Sequence, residues 1–177
     1  MELVNSPQFW IISILRPFFE IKITEIFAKY SQYFPIFSSC NRIDKIVQTS
    51  SLKSHWCRSC PKCAFVFVML SAFISKEDVV KIFGENLLNK ESLINTYKEL
   101  LGITGIKPFE CVGTPDEVNI AFYLAHEKGE FDEDIAMKMF LNEVLPKVKN
   151  IEEIKQDVFT TGDVSTIPQE FRKLFTK

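Results

Sequence analysis

The chain has 177 residues, of which 46% are hydrophobic, so it is long enough for one domain with a substantial core. Its 21 Lys and Arg residues against 23 Asp and Glu residues give a formal net charge of -2, and the sequence has no local basic cluster. This balance offers no electrostatic reason to expect a nucleic acid or a membrane surface as partner. Seventeen phenylalanines against six glycines indicate packed helices rather than glycine-rich, phosphate-binding loops.

The sequence carries no sign of a secretory or membrane-spanning segment. Met1 is followed by the acidic Glu2, whereas a signal peptide begins with positive charge. The longest apolar run, residues 64–74, is too short to span a bilayer, which takes about 20 helical residues. We therefore expect a cytoplasmic protein whose five cysteines are reduced thiols or metal ligands rather than disulfides.

The first forty residues combine a strand pattern with a helix pattern. Residues 9–15, FWIISIL, are β-branched and aromatic and are closed by Arg16-Pro17, which predicts one buried strand. A helix ending near Pro35 is then predicted from an apolar stripe at Ile23, Ile26, Phe27, Tyr30 and Phe34. After it, a polar stretch rich in Ser and Thr separates Cys40 from Cys57 and reads as a loop whose ends are brought together.

The rest of the chain is predicted to be helical. Pro61 starts a helix that runs to Ile74, and Ser75 caps a shorter one that ends at Gly84. The other predicted helices cover residues 90–101, the segment from Thr114 to about Ala125, and residues 132–145, with weaker signals after residue 151. The strongest helix start is Thr114-Pro115-Asp116-Glu117, which places a hydroxyl at the N-cap, proline at the first helical position and a carboxylate three residues after the cap.

Three cysteines lie within seven residues, at Cys57, Cys60 and Cys63, and the predicted loop connects them to Cys40. This spacing lets four thiolates converge on one ion, and four thiolates suit tetrahedral zinc. Because a closed four-sulfur shell leaves no open position for water, we expect a structural role for the metal. In that role zinc would contribute folding free energy directly.

Other interpretations of the cysteines stay open. An iron–sulfur cluster also takes four cysteines, but the bacterial ferredoxin run wants a further Cys and then Pro, which Ala64 and the residues after it do not supply. Simple buried or redox-active thiols are a third possibility. His55 is an alternative ligand to one of the cysteines.

A second candidate site is the loop of residues 105–113, GIKPFECVG, in which Lys107, Glu110 and Cys111 lie within five residues. The loop precedes the helix start at Thr114, where unpaired N–H groups favour an anion and lower the pKa of a thiol. The chain has only two histidines, and its sequence shows no Ser/His/Asp arrangement. Its six glycines occur singly along the sequence and form no phosphate-binding motif. The chemistry of the chain is therefore expected in this loop rather than at the cysteines.

Several of these segments, taken together and in order, resemble one known family, and the resemblance runs from about residue 10 to residue 125. They are Leu15-Arg16-Pro17, ITEI at 23–26, YFPIFSSCN at 33–41, WCRSCPKCAFV at 56–66, IFG at 82–84, NLL at 86–88 and GIKPFECVGTPDE at 105–117. The pattern resembles the C-terminal half of the UDP-N-acetylmuramoyl-L-alanyl-L-glutamate epimerase family. The cysteine set alone recurs among ATP-pyrophosphatase-like (PP-loop) proteins, including the 7-cyano-7-deazaguanine synthases, where it holds zinc.

The resemblance implies an enzyme of peptidoglycan precursor synthesis, which serves cell-wall biogenesis and cell shape. In that family ATP with magnesium activates a carboxyl of the terminal L-glutamate as an adenylate, so that the α-proton can be removed and returned on the other face. By motif match it implies zinc ligation by the four cysteines, and it makes Lys107, Glu110 and Cys111 candidates for substrate contact or proton transfer. The implied partners are the UDP-MurNAc-dipeptide substrate and a separate ATP-binding subunit, with no nucleic acid and no membrane.

The ATP-binding half of that family precedes the segment seen here, and the chain is expected to begin at its last strand, as a truncated or split enzyme that is inactive alone. The expected fold is mainly α. Its parts are the last strand and helix of a truncated Rossmann-like domain (1–39), a zinc-binding knuckle (40–64), a helical domain (65–150) and a tail (151–177). The alternative functions are a non-catalytic zinc-knuckle interaction module and a fragment of a 7-cyano-7-deazaguanine synthase-like or tRNA-modifying enzyme.

Overall fold

The structure is a computed structural model that describes residues 12–42, 55–108 and 112–175. Within these ranges it is helical and has no β-strand. The α-helices, in chain order, are α1 (Glu20–Phe27), α2 (Pro61–Ser71), α3 (Lys76–Phe83), α4 (Ile94–Leu100), α5 (Pro115–Glu127), α6 (Ile135–Met139), α7 (Ile151–Phe159) and α8 (Gln169–Arg172). None of the helices in the described ranges combines the length and the apolar character needed to cross a membrane. The fold class predicted from the sequence is thus confirmed in its main feature, the predominance of helix.

Helix α2 is the centre of the core. Nine of its eleven residues are buried, because the segment is apolar on every side and has no hydrophilic face to turn to water. Helices α1, α3, α4 and α5 pack around it. Aromatic rings fill the space between these helices, with Tyr97 edge-on to Phe122 at 5.5 Å and Phe122 stacked on Phe140 at 5.0 Å.

The C-terminal end of α2 is stabilised by a lysine from another helix end. Lys128, the residue after α5, donates hydrogen bonds from its Nζ to the carbonyl oxygens of Ser71 (3.1 Å) and Ile74. These carbonyls belong to the last turn and its continuation, where no helical N–H is available to pair with them. A cation at this end also interacts favourably with the helix dipole.

The predicted helix starts are confirmed where the prediction depended on a local capping residue or proline. Ser75 Oγ accepts a hydrogen bond from the backbone N–H of Asp78 (3.1 Å), and Gly84 ends α3 in the left-handed conformation at φ 80°. Thr114 and Glu117 form a complete capping box at the start of α5, with Glu117 Oε2 accepting from Thr114 N at 2.6 Å. Pro61 occupies the first position of α2, as predicted.

Glu117 has a second role that its place in the capping box does not reveal. Its other carboxylate oxygen, Oε1, accepts a hydrogen bond from the backbone N–H of Ile21 at 3.1 Å. This N–H lies in the first turn of α1, whose own N-cap residue, Phe19, offers no side-chain acceptor. One buried carboxylate therefore caps two helices and holds α1 against the core. Gly113 leaves room for it, because a Cβ there would lie 2.6 Å from Glu117 Oε2.

The predicted N-terminal strand is wrong for residues 12–15, and the Rossmann-like assignment of residues 1–39 has no strand to support it in the described part of that range. Residues 14–17 form a turn. The backbone N–H of Arg16 bonds Ser13 O at 3.4 Å, and that of Phe18 bonds Leu15 O at 3.0 Å, so these donors are used locally rather than in a sheet. Residues 9–11 of the predicted strand lie outside the described residues.

Two predicted helices are broken in the structure. The first ends with α1 rather than near Pro35, because Tyr30 leaves the helical region (φ -115°, ψ 58°) before a short 3-10 turn at Ser31–Tyr33. The predicted helix 132–145 becomes α6, a π-helical turn at Phe140–Val144 and a 3-10 turn at Leu145–Lys147. Pro146 contributes to the second break, since it has no N–H to continue the helix. The weak signal after residue 151 corresponds to α7, which packs on α5 and α1.

We predict that Glu117→Gln lowers the free energy of unfolding by about 1–3 kcal/mol. The amide replaces one acceptor oxygen with an NH₂ group, which must then face either the N–H of Ile21 or that of Thr114 at a buried position. Urea unfolding measures the difference. Asp116→Asn is the matched control, because Asp116 is exposed in the same turn, and its effect should stay within about 0.5 kcal/mol. Equal stability of the two variants would contradict the double-capping role of Glu117.

Candidate metal centre

The four predicted cysteines converge. The Sγ atoms of Cys40, Cys57, Cys60 and Cys63 all lie within 4.8 Å of one another. Cys63 Sγ is 3.5 Å from Cys60 Sγ and 3.7 Å from Cys57 Sγ. Three of the four residues are buried, and Cys57 is partly exposed. Cys40 thus lies beside the other three cysteines although 16 residues separate it from Cys57 in the sequence, as the sequence analysis expected.

The start of α2 positions two of the sulfurs. Cys60 is the N-cap residue, and its Sγ accepts a hydrogen bond from the backbone N–H of Cys63 at 3.4 Å. Cys63 lies in the first turn of the helix, after Pro61. The unpaired N–H groups and the positive end of the helix dipole favour the thiolate over the thiol at the N-cap, Cys60. The helix start therefore places the two sulfurs 3.5 Å apart.

A tight turn between Cys57 and Cys60 brings in the third sulfur. Arg58 adopts the left-handed conformation (φ 59°), which is uncommon for a residue with a Cβ. Lys90 Nζ donates a hydrogen bond to the carbonyl oxygen of Arg58 at 3.0 Å and also pairs with Glu85 at 2.7 Å. Contacts from the α3–α4 connection thus hold the backbone of a turn that is unfavourable on its own.

The segment carrying Cys40 is tied to the turn by polar contacts. Ser38 Oγ donates to the carbonyl oxygen of His55 at 2.6 Å and accepts from the N–H of Cys40 at 3.2 Å. The Sγ of Cys40 accepts backbone N–H bonds from Arg42 and Cys57, each at 3.4 Å. Such N–H donors stabilise a thiolate ligand and orient it.

Trp56 anchors this arrangement in the core. Its ring lies 4.4 Å from that of Phe83 and meets Phe37 edge-on at 5.2 Å, and only 2% of the residue is exposed. The sequence analysis assigned no role to Trp56 or Ser38. The available signal was a large aromatic residue directly before Cys57, in a segment otherwise read as a polar loop.

Three of the cysteines, Cys40, Cys60 and Cys63, have thiol pKa values that are shifted in different directions. The hydrogen bond between the Cys60 and Cys63 side chains lowers the pKa of Cys60 to about 4, and the same bond raises the pKa of Cys63 well above its usual range. Burial raises the pKa of Cys40. The contact between Cys60 and Cys63 therefore favours a thiolate at Cys60 and opposes one at Cys63, and burial opposes one at Cys40, unless a positive charge is placed beside them.

The arrangement fits a tetrahedral metal ion. A metal–sulfur distance of about 2.3 Å, as in zinc sites, corresponds to sulfur–sulfur edges of about 3.8 Å. The two measured edges of 3.5 and 3.7 Å are close to that value, and the remaining ones lie within 4.8 Å. Four sulfurs complete such a shell, so the chain's own ligands leave no position for a reacting group.

The other candidate residues are separate from the cysteine cluster or outside the described ranges. His55 is exposed and is not among the residues whose ligand atoms converge there. Lys107 is exposed and has no ion-pair partner in the described part of the chain. Glu110 and Cys111 lie outside the described residues, so their roles stay predictions. The anion position expected at the start of α5 is filled by the carboxylate of Glu117.

Comparison with known proteins places these features in one family. The profile of the family described as the MurL C-terminal domain matches residues 36–156, which include all four cysteines of the cluster. The chain belongs to this family.

Three curated relatives, each named UDP-N-acetyl-alpha-D-muramoyl-L-alanyl-L-glutamate epimerase, extend the match. The protein of a Micromonospora strain is 38% identical over 170 residues, covering 96% of this chain and 36% of the relative. Those of Salinispora tropica and Xanthomonas oryzae pv. oryzae are 35% and 39% identical, covering 95% and 77% of this chain and 35% and 30% of the relatives. The chain thus spans about a third of the length of these relatives. No solved structure matches it.

We predict that Cys63→Ser abolishes binding of one divalent metal ion per chain and lowers the Tm by about 10 °C or more. The reason is that a metal bound by the folded chain alone contributes its binding free energy to folding. Metal content after dialysis and thermal unfolding by circular dichroism measure the two effects. His55→Ala is the control from the same loop and should keep both values. Retention of the ion by Cys63→Ser, or its loss from His55→Ala, would contradict this ligand set.

Proposed function

We propose that this chain forms the C-terminal part of an enzyme that inverts the terminal glutamate of UDP-MurNAc-L-Ala-L-Glu, a step of peptidoglycan precursor synthesis. The observation that carries the proposal is the match of 170 residues at 38% identity to an epimerase of that name. All three relatives carry the same name, which favours this function over the 7-cyano-7-deazaguanine synthase-like alternative. The substrate proposed is accordingly the UDP-MurNAc-dipeptide.

The metal proposed for the cysteine cluster is zinc, in a structural role. Four sulfurs and near-tetrahedral spacing are the donor set that zinc prefers, and zinc brings no redox chemistry of its own. When bound, it supplies positive charge that allows all four thiols to be deprotonated. Cys40, Cys57, Cys60 and Cys63 would hold it and thereby fix the segment before residue 42 to the start of α2.

The proposed reaction consumes ATP. The carboxylate of the terminal glutamate attacks the α-phosphorus of ATP, pyrophosphate leaves, and magnesium balances the phosphate charge. The resulting acyl adenylate withdraws electrons from the α-carbon, so a base can remove the α-proton and an acid can return one on the opposite face. Hydrolysis then gives the D-glutamate product and AMP. The nucleotide-binding half that the sequence resemblance implies is proposed to lie outside these 177 residues, in the same enzyme or in a separate subunit.

Proton transfer at the α-carbon requires one group on each face of the substrate. We propose Glu110 and Cys111 for these two roles and Lys107 for binding a substrate carboxylate. A carboxylate and a thiol can each give and accept a proton, and a lysine ammonium on an exposed loop is available to an anion. This assignment rests on residue type and on proximity in the sequence.

The test is a chimera in which this chain replaces the matched third of the Micromonospora relative. We expect ATP-dependent conversion of the L-Glu to the D-Glu precursor, with deuterium from D₂O entering the α-position of the product. Chiral analysis after hydrolysis and mass spectrometry measure the two results. A folded chimera that makes no D-Glu, or that inverts the centre without solvent deuterium, would contradict the proposal.

The same chimera tests the loop. Glu110→Gln and Cys111→Ala should each lower kcat by about 10²–10⁴-fold, the range for loss of one acid or base group. Glu133→Gln is the matched control, because the Glu133 side chain is 92% exposed and pairs only with Lys138 among the described residues. Loop variants that keep the rate of the control would remove Glu110 and Cys111 from the mechanism without affecting the proposed reaction.

A further inference from the structure

One side of α1 carries apolar side chains that the core does not cover. The inner side of α1 packs on α2, α5 and α7, and Ile21 is its one fully buried residue. The outer side forms an open groove of about 280 Å³. We call this groove the α1 apolar face; its lining residues are Leu15, Ile23, Ile26, Phe27, Tyr30 and Tyr33.

The exposure of this face is large for side chains of this kind. Leu15, Tyr30 and Tyr33 are each 44–49% exposed. Contiguous apolar surface of this sort on a folded domain marks a contact with another protein surface. The residues that line the groove are all apolar or aromatic and none is charged. The partner should therefore be apolar where it meets this face.

The family boundaries identify what covers it. The profile of the C-terminal domain begins at residue 36, so residues 12–33 lie before the domain that it defines. The match to the Micromonospora relative covers 170 of the 177 residues, which leaves at most seven unmatched, and residues 12–33 must lie inside it. The relative therefore has a counterpart of the segment that carries the α1 apolar face. That counterpart lies before the domain that the profile defines, next to the part of the relative that this chain does not match.

We propose that the α1 apolar face is the docking surface for the preceding part of the epimerase, the roughly two thirds of the relatives' length that has no counterpart in these residues. The description of the family as a C-terminal domain places that part before the matched segment. Docking there would bring it against α1, which Glu117 and the cysteine cluster hold to the core on the other side. The inference rests on the proposed function for the nature of the partner.

The experiment measures association and not the reaction, so its failure is distinguishable from failure of the proposed activity. The full 177-residue chain, tagged, is co-expressed with the unmatched N-terminal part of the Micromonospora relative as a separate chain. We expect the two to co-purify in equal amounts. Ile26→Glu and Tyr33→Asp should each lower the amount of retained partner by about tenfold or more, since each places a charge in an apolar contact.

Ile106→Glu is the control, because Ile106 is 89% exposed, does not line this groove, and receives the same substitution. Tyr33→Asp separates loss of docking from loss of folding. Because the Tyr33 side chain is already half exposed, circular dichroism should show an unchanged Tm for this variant. The proposal is overturned if the N-terminal part of the relative does not co-purify with the wild-type chain or stays insoluble when the two are co-expressed. It is also overturned if Ile26→Glu retains the partner as well as Ile106→Glu does, as coverage by residues 1–11 would predict, or if the chain alone is a dimer that Ile26→Glu dissociates.

Discussion

The burial of α2 on every side is the constraint on which the rest of the structure depends. A helix with no face toward water must have its terminal N–H and C=O groups satisfied inside the protein. At the C-terminal end of α2, Lys128, which follows α5, donates hydrogen bonds to the carbonyl oxygens that have no partner within the helix. At the N-terminal end of α2, the Sγ of Cys60 caps the helix by accepting a hydrogen bond from the backbone N–H of Cys63 in the first turn. The cysteine cluster therefore lies at the end of the central helix of the core rather than on a peripheral knuckle.

This position explains how the segment before residue 42 is attached. Two polar devices hold it: the cysteine cluster through Cys40, and the carboxylate of Glu117 through the first turn of α1. Both act on the inner side of the segment, and Trp56 fills the space between them and α3. Neither device covers the outer side of α1, which keeps its apolar groove. The segment is thus fixed on one side and open on the other.

The same geometry separates stability from chemistry. Four sulfurs complete a tetrahedral shell, so the cysteine cluster has no open position at which a substrate could react. The capping position at the start of α5 is likewise taken by Glu117 and is not available to a bound anion. The proposed proton-transfer residues, Glu110 and Cys111, instead precede α5 in the sequence and lie outside the described residues.

The sequence by itself determined the features that depend on neighbouring residues. The caps at Ser75 and Thr114, the proline start of α2 and the stop at Gly84 are local hydrogen-bonding and dihedral preferences, and the structure has each of them. The cysteine spacing also predicted that the four sulfurs converge, and the ordered motifs predicted the family. Tertiary structure decided the rest, because it depends on contacts between distant residues. A β-branched segment forms a strand only beside another strand, and residues 12–15 have none in the described part of the chain. The second use of Glu117, the anchoring by Trp56 and the exposed side of α1 follow from which helices meet, and no local pattern encodes that.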